Sequence, residues 1–275
     1  MTSPEHAEPF TKALERMNRF QEPEARTLIA DLGLPAGSSG LDVGCGAGLY
    51  TLWLAEAVGS GGRVVGIEPA AERVDAARDL VGHALEPPRL EFRVGDAVKI
   101  DAPDATFDWV WCGDVLHHIQ ETGRALAEFA RVVRPSGRII VKESQLLHGL
   151  FLPGHPALER RIRQAEAECS RHEGGDYSFE ERRQRTLGWL RAAGLSVESF
   201  RTSLLERRAP IPDAARDYIQ RVVFERNCGP RLRDLLAPAD WEQRSALCDP
   251  SSPAFVLDDP DYYCLYPISV LVARR

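Results

Sequence analysis

Three glycines at alternate positions, Gly44, Gly46 and Gly48, follow Asp42 in the run LDVGCGAGLYTLWLAEAV, residues 41–58. Lacking Cβ atoms, such a turn lets a ligand approach the backbone, and a helix beginning just beyond it offers unpaired N–H groups at a positive dipole end. A nucleotide-like ligand with anionic or carboxylate groups suits the turn, although a tight structural turn uses the same residues. Asp42 narrows the ligand. The spacing G-x-G-x-x-G makes room for a pyrophosphate, whereas G-x-G-x-G preceded by an acid repels a pyrophosphate and attracts an ammonium.

Further along stand Glu68, Asp96 and Asp114, each just after an apolar run, and then His117 and His118. A carboxylate at Glu68, twenty positions after Gly48, is placed to accept from ribose hydroxyls. An imidazole titrating near neutrality can take a proton from a hydroxyl or amine, which makes His117 and His118 the candidate general bases; packing within the turn is the alternative role. His148 and His155 fall in an apolar loop and read as exposed. The six cysteines are scattered without Cys-x-x-Cys or a nearby histidine at ligand spacing, so neither a disulfide framework nor a metal site is expected.

Positioning these groups requires alternating strands and helices. Residues 40–43 are short and apolar apart from Asp42, and Leu49, Leu52, Ala55 and Val58 then recur at helical intervals. RVVGI (63–67) is a second strand. Val74, Ala77, Leu80, Val81 and Ala84 form a helical stripe that stops at the EPP breaker, 86–88. LEFRV (90–94), FDWVWC (107–112), a helix across 123–133, the turn RPSG and the strand RIIVKE (138–143) continue the alternation. Five strands in this order demand a parallel, helix-covered sheet, and right-handed crossovers bring Gly44, Glu68, Asp96 and Asp114 to its carboxyl edge.

The succession LDVGCGAG, VVGIEP, VGDA, FDWVWCGDVLHHI and RVVRPSGRIIV, over about residues 38–143, resembles the class I S-adenosylmethionine-dependent methyltransferases, in particular the small-molecule branch that includes the ubiquinone/menaquinone-biosynthesis type. The resemblance implies an α/β, Rossmann-like, seven-stranded, mostly parallel sheet with an antiparallel last strand, helices on both faces and helical lid elements. GLSVESFRTSLL (194–205) and YYCLYPISVLVA (262–273) then supply strands six and seven. It also implies S-adenosyl-L-methionine as cofactor: Gly44, Gly46 and Gly48 near its methionine part, Glu68 on the ribose, Asp96 with Ala97 at the adenine, and Cys112 to Asp114 along the methionine side. Asp42 joins this set.

Outside that span the reading is organisational. Residues 1–38 carry the stripes Phe10, Leu14, Met17, Phe20 and Ala25, Leu28, Ile29, Leu32 and form an N-terminal helical cap; 39–210 and 248–275 form the core; 211–247 insert helices as part of an acceptor lid. A helical layer that only extends the core or forms a dimer is the alternative. Phe10, Phe20, Phe151, Leu152, Tyr218 and Phe224, if they face inward, make an apolar pocket, so the expected partner is a small hydrophobic or aromatic acceptor methylated on oxygen or nitrogen, less readily on carbon. A methyltransferase-fold protein using the cofactor structurally in a cyclisation, or a non-catalytic binding protein, are the competing functions; the intact glycines, Glu68 and Asp96 oppose the latter. With a net charge of −7, arginine runs interleaved with glutamate and no Asn/Asp-Pro-Pro-Tyr type motif after the fourth strand, nucleic acid is not expected as partner. No apolar stretch is long enough to span a bilayer and the first twenty residues lack a signal-peptide h-region, so no membrane association and a cytoplasmic location are expected, with the oligomeric state open.

Overall fold

The computed structural model describes residues 10–81, 83–85, 89–174 and 177–275. The first nine residues of the expected cap and the expected breaker at 86–88 lie outside the described residues. The chain forms two compact units, one of Met1–Ser144, Arg183–Thr202 and Ser269–Arg275, the other of Gln145–Arg182 and Ser203–Ile268.

In the first unit, helix α1 (Phe10–Asp31) joins both N-terminal stripes into one helix running through Pro23. Then come β1 (Ser39–Val43), α2 (Leu49–Val58), β2 (Arg63–Glu68), α3 (Ala71–Val81), β3 (Leu90–Val94), β4 (Phe107–Gly113), a short 3-10 turn (Leu116–His118), α4 (Thr122–Val132) and β5 (Val133–Ser144). In chain order there follow α5 (Pro156–Gly174), which belongs to the second unit, α6 (Phe179–Gln184), α7 (Thr186–Ala192) and β6 (Ser196–Arg208), and β7 (Tyr263–Arg274) is the last strand. The seven-stranded sheet has the order β3-β2-β1-β4-β5-β7-β6, parallel from β3 through β5 with the last strand antiparallel.

Two boundaries differ from expectation. The RPSG residues do not break the chain out of the sheet: β5 starts at Val133, and its register against β4 jumps from Phe107↔Val133 to Trp109↔Arg138, so the turn-formers are absorbed as an irregularity within the strand. Helix α3 ends at Val81, which leaves Leu80 37% exposed and Ala84 beyond the helix; only Val74, Ala77 and Val81 of the stripe are buried.

Because side chains alternate along a strand, each central strand serves two layers. Leu41, Val65, Val110, Cys112, Ile139 and Val141 point into one core with Leu126 and Phe129 of α4 and Leu190 of α7. The intervening residues face the other way: Trp111 stacks on Tyr50 of α2 with ring centroids 5.5 Å apart, and Asp42 meets Thr51 of the same helix. Chain order reverses between β1 and β4, and this switch point sets the place of the site.

The second unit contains α5, α8 (Asp213–Tyr218), a π-helix (Ile219–Asn227) and α9 (Pro238–Cys248), so the expected insertion 211–247 forms part of it. Phe151 and Tyr218 both pack edge-on against Tyr266 at 6.1 Å. Tyr262, expected within the last strand, precedes it; its buried hydroxyl donates to Phe151 O at 3.1 Å. His148 is exposed as expected and His155 half-buried; His148 Nε2 lies 3.0 Å from Glu180 Oε1, and His155 is 3.3 Å from the Gln243 amide. Among the described residues no helix is long and apolar enough to cross a membrane.

Candidate functional site

A cleft of about 630 Å³ opens at the carboxyl ends of β1, β2 and β4, walled on one side by α1. Its size falls in the ordinary range for small-molecule sites, about 300–1,000 Å³. Asp42, Gly44, Gly46, Glu68, Asp96, Ala97, Asp114 and His118 line it; Gly48, Cys112 and His117 do not.

Each exclusion has a physical cause. Gly48 caps α2 at φ +81°, and a Cβ there would stand 2.8 Å from Phe92 Cζ and 3.0 Å from Ala77 Cβ, so it is glycine for helix packing and not for a ligand. Cys112 alternates with Trp111 along β4 and is fully buried in the opposite core. Its burial, followed by the nearby carboxylates, drives its thiol pKa far up, leaving an inert SH. His117 is 1% exposed, with Nδ1 at 2.7 Å from Glu143 Oε2 and Nε2 at 3.1 Å from Arg183 Nη2. Since the guanidinium can only donate, Nε2 carries the lone pair and the ring proton sits on Nδ1.

The remaining residues converge. Gly46, at φ +54°, has only Leu14 Cδ1 near the position of a Cβ, at 3.1 Å, so a side chain there would enter the cleft between the turn and α1. Glu68 is 3% exposed; one carboxylate oxygen accepts from Gly46 N at 3.3 Å, the other from Arg73 Nη1 at 3.0 Å. The Arg73-bound oxygen also accepts from Ala70 N at 3.5 Å, so the Gly46-bound oxygen is the one that keeps a second lone pair for a ligand hydroxyl. Asp96 itself is exposed; its Oδ1 accepts from Val98 N at 3.0 Å, and this turn presents Ala97 and Val98 to the cleft as an apolar seat. Burial, together with the charge of Glu68, pushes Asp42 up to about 7, while Thr51 Oγ1 donates to it at 2.7 Å.

Asp114 sits at φ +56°, a left-handed conformation that aims its carboxylate back at β5. It pairs there with Lys142 Nζ and accepts from Ser144 N at 2.5 Å and Ser144 Oγ at 2.9 Å. Burial alone would raise its pKa, but the Lys142 charge and these donors outweigh it and hold the carboxyl below its usual range. Lys142 also reaches Gln21 Oε1 of α1 at 2.7 Å, which Tyr50 OH approaches at 2.9 Å. The sequence reading missed this buried network, as it missed Arg73 and Glu143; KES at the end of β5 was the available signal, charges inside an otherwise apolar strand. His118 opens onto the cleft, its ring 4.1 Å from that of His117. Protein crowding around it, then His117 and Arg183, push its pKa down; its solvent-facing edge tempers the shift without reversing it, so the imidazole is neutral near pH 7.

The six apolar residues expected to share one acceptor pocket do not. Phe10 lines the cleft and Phe20 is core, whereas Phe151, Leu152 and Phe224 line a cavity of about 50 Å³ within the second unit, and Tyr218 is packed on Tyr266. The acidic cleft, the Glu68 carboxylate with its free lone pair and the glycine at position 46 fit S-adenosylmethionine, whose sulfonium and ammonium carry positive charge.

Comparison with known proteins agrees. Residues 41–141 match the family model described as a methyltransferase domain. The chain is 31% identical over 221 residues to 27-O-demethylrifamycin SV methyltransferase of Amycolatopsis mediterranei, covering 75% of this chain and 77% of that protein. It is 37% identical to demethylmenaquinone methyltransferase of Bacillus cereus over 39% of this chain and 45% of the relative, so it spans less than half of that protein. A solved structure from Anaeromyxobacter dehalogenans, named as a type II methyltransferase, shares the fold with a TM-score of 0.62 at 21% identity, over 90% of this chain and 95% of that one. The chain belongs to the class I S-adenosylmethionine-dependent methyltransferases of small-molecule type, and S-adenosylmethionine is its cofactor.

Proposed function

We propose that the protein methylates an oxygen, or else a nitrogen, of a hydrophobic or aromatic small molecule. The observation carrying this is the wall that faces the acidic floor of the cleft: Phe10, Leu14 and Met17 of α1 and Val115 and Ile119 after β4 are apolar, and His118 stands in the same stretch. The relative matched along 77% of its length is named for a 27-O-demethyl substrate, which favours oxygen.

Bound S-adenosylmethionine supplies an electrophilic methyl group on a sulfonium, so displacement depends on alignment and water exclusion more than on acid–base power. Asp42, Glu68 and the Ala97–Val98 turn hold the cofactor, and the apolar wall keeps water from the methyl. His118, neutral in the cleft, accepts a hydrogen bond from the acceptor hydroxyl and orients its lone pair; as the O–C bond forms and the C–S bond breaks, releasing S-adenosylhomocysteine, the now acidic hydroxyl proton passes through His118 to solvent at its exposed edge. Its lowered pKa makes it an orienting group before a strong base. His117 positions His118 from behind, itself fixed by Glu143 and Arg183.

Methyl-labelled S-adenosylmethionine offered with apolar phenols and hydroxylated macrocycles, and separately with polar amino acids and polyols, tests this by mass spectrometry of the products. Label on oxygen or nitrogen of the apolar set supports the proposal; label confined to the polar set, or found on carbon, rejects it.

A further inference from the structure

Four residues of α1 line the cleft, and three of them are apolar: Phe10, Leu14 and Met17. The fourth is Asn18. It is 7% exposed, and its side chain makes no hydrogen bond among the described residues. A carboxamide with two donor hydrogens and an acceptor oxygen, on a residue otherwise buried and opening only onto the cleft, points to a ligand as its partner.

Its neighbours on the helix say which part of the cleft it serves. Positions 14, 18 and 21 fall on one helical face. Leu14 reaches to within 3.1 Å of where a Gly46 side chain would begin, and Gln21 Nε2 donates to Ser144 Oγ at 3.3 Å while its oxygen accepts from Lys142. Asn18 therefore stands over the stretch between the glycine turn and the Asp114–Ser144 end of the cleft.

Charge identifies the group it meets. Asp42, Glu68, Asp96, Asp114 and Glu121 give the cleft an acidic lining, and the two nearby cations are engaged, Arg73 with Glu68 and Lys142 with Asp114. That lining suits a sulfonium and an ammonium but opposes the carboxylate of the same ligand. Neutral N–H donors solve this conflict. Helix α2, ten residues long, begins beside the cleft with no side-chain cap and offers backbone donors, and Tyr50 of its first turn lines the cleft together with Asn18.

We propose that Asn18 is a cofactor-binding residue whose side-chain amide donates to the carboxylate at the amino-acid end of S-adenosylmethionine. This assignment rests on the chain's use of that cofactor, and calorimetry on the full chain separates the two. S-adenosylhomocysteine and 5'-methylthioadenosine share the nucleoside and a neutral thioether; only the first carries the amino-acid end. Asn18→Ala is expected to weaken S-adenosylhomocysteine binding about tenfold, as for a lost hydrogen bond to a charged group, and to leave methylthioadenosine binding unchanged. Asn18→Asp keeps the shape, removes the donor and adds a like charge, so it weakens S-adenosylhomocysteine further, with a melting temperature near that of the parent. Unchanged affinity for S-adenosylhomocysteine, or equal losses for both ligands, overturns the proposal. A parent chain that binds neither ligand overturns the cofactor reading itself.

Discussion

Lys142 and Glu143 are consecutive on β5, yet their side chains leave the sheet on opposite faces, each into a buried polar partnership. Lys142 turns toward α1 and α2 and joins Asp114, Gln21 and Ser144; Glu143 turns toward the α4 and α7 core and holds His117. Strand alternation thus assigns one residue to the floor of the cofactor cleft and the next to the turn bearing His118. Two predictions follow from the two faces.

On the α1 face, Lys142→Met leaves Asp114 buried without its cation and destabilises the first unit by about 3–5 kcal/mol. Asp114 has a lowered pKa, so its contribution to stability is present above the ordinary carboxylate range and fades as pH falls through the folded value. With Lys142 gone, the pKa rises and that contribution reverses sign. Adding Asp114→Asn to Lys142→Met should recover part of the loss. Urea titration at pH 5 and pH 8 measures all three, and a double variant no more stable than the single one would contradict the pairing.

On the other face, burial and then the charge of Asp114 push Glu143 up to about 8, so the Glu143–His117 pair keeps its shared proton at neutral pH. On the proposed mechanism His117 is then a positioning residue, and His118 the one that meets the acceptor. His118→Ala should lower kcat by roughly 10²-fold, the low end of the range for a proton-handling side chain, whereas His117→Gln should act mainly through the melting temperature. Because the His118 pKa is lowered, the parent's kcat profile should show no inflection from it near pH 6.5. An inflection there that disappears in His118→Ala would make His118 a general base after all.

The glycines separate packing from binding. Gly48→Ala places a methyl group against Phe92 and Ala77 in a left-handed conformation that itself costs roughly 1–2 kcal/mol, so the melting temperature should fall by several degrees. Gly46→Ala carries the same left-handed cost at φ +54° but directs its methyl toward Leu14 and the cleft, so it should in addition weaken S-adenosylhomocysteine binding, which Gly48→Ala should leave unchanged. Calorimetry and thermal melts on both variants check the contrast; the reverse assignment of effects would refute it.

Periodicity reveals the parts of this site that stand at strand ends. Glu68, Asp96 and Asp114 follow apolar runs, and every one reaches the cleft. Period two along FDWVWC also contains the correction for Cys112, since Trp111 and Cys112 must face opposite layers. Groups whose role comes from distant partners were not legible: Gln21 and Asn18 interrupt a stripe that reads as apolar, and nothing local to Lys142 announces residues 121 positions away. The nine-residue π-helix at Ile219–Asn227 has an ordinary helical composition, and no local residue pattern announces its extra-wide turns.

Asp42 gives the cleft a pH dependence whose sign can be worked out. Burial first, then Glu68, raises its pKa from an ordinary 3.8 to about 7, against the opposing hydrogen bond from Thr51. Between those values the unfolded chain has an ionised Asp42 and the folded chain a protonated one. The folded state therefore binds the extra proton, and Asp42's contribution to stability falls as pH rises from about 4 to 7 and is level above. Cofactor binding works against this: the ammonium and sulfonium favour the carboxylate, so the bound state has the lower pKa and binding releases a proton. Affinity for S-adenosylmethionine should accordingly rise from pH 5.5 toward 7 and then flatten. Calorimetry at pH 6 in two buffers of different ionisation enthalpy reads the released proton directly. In Asp42→Asn the release should vanish while the Thr51 contact survives; an unaltered proton count in that variant would assign the release to another carboxylate.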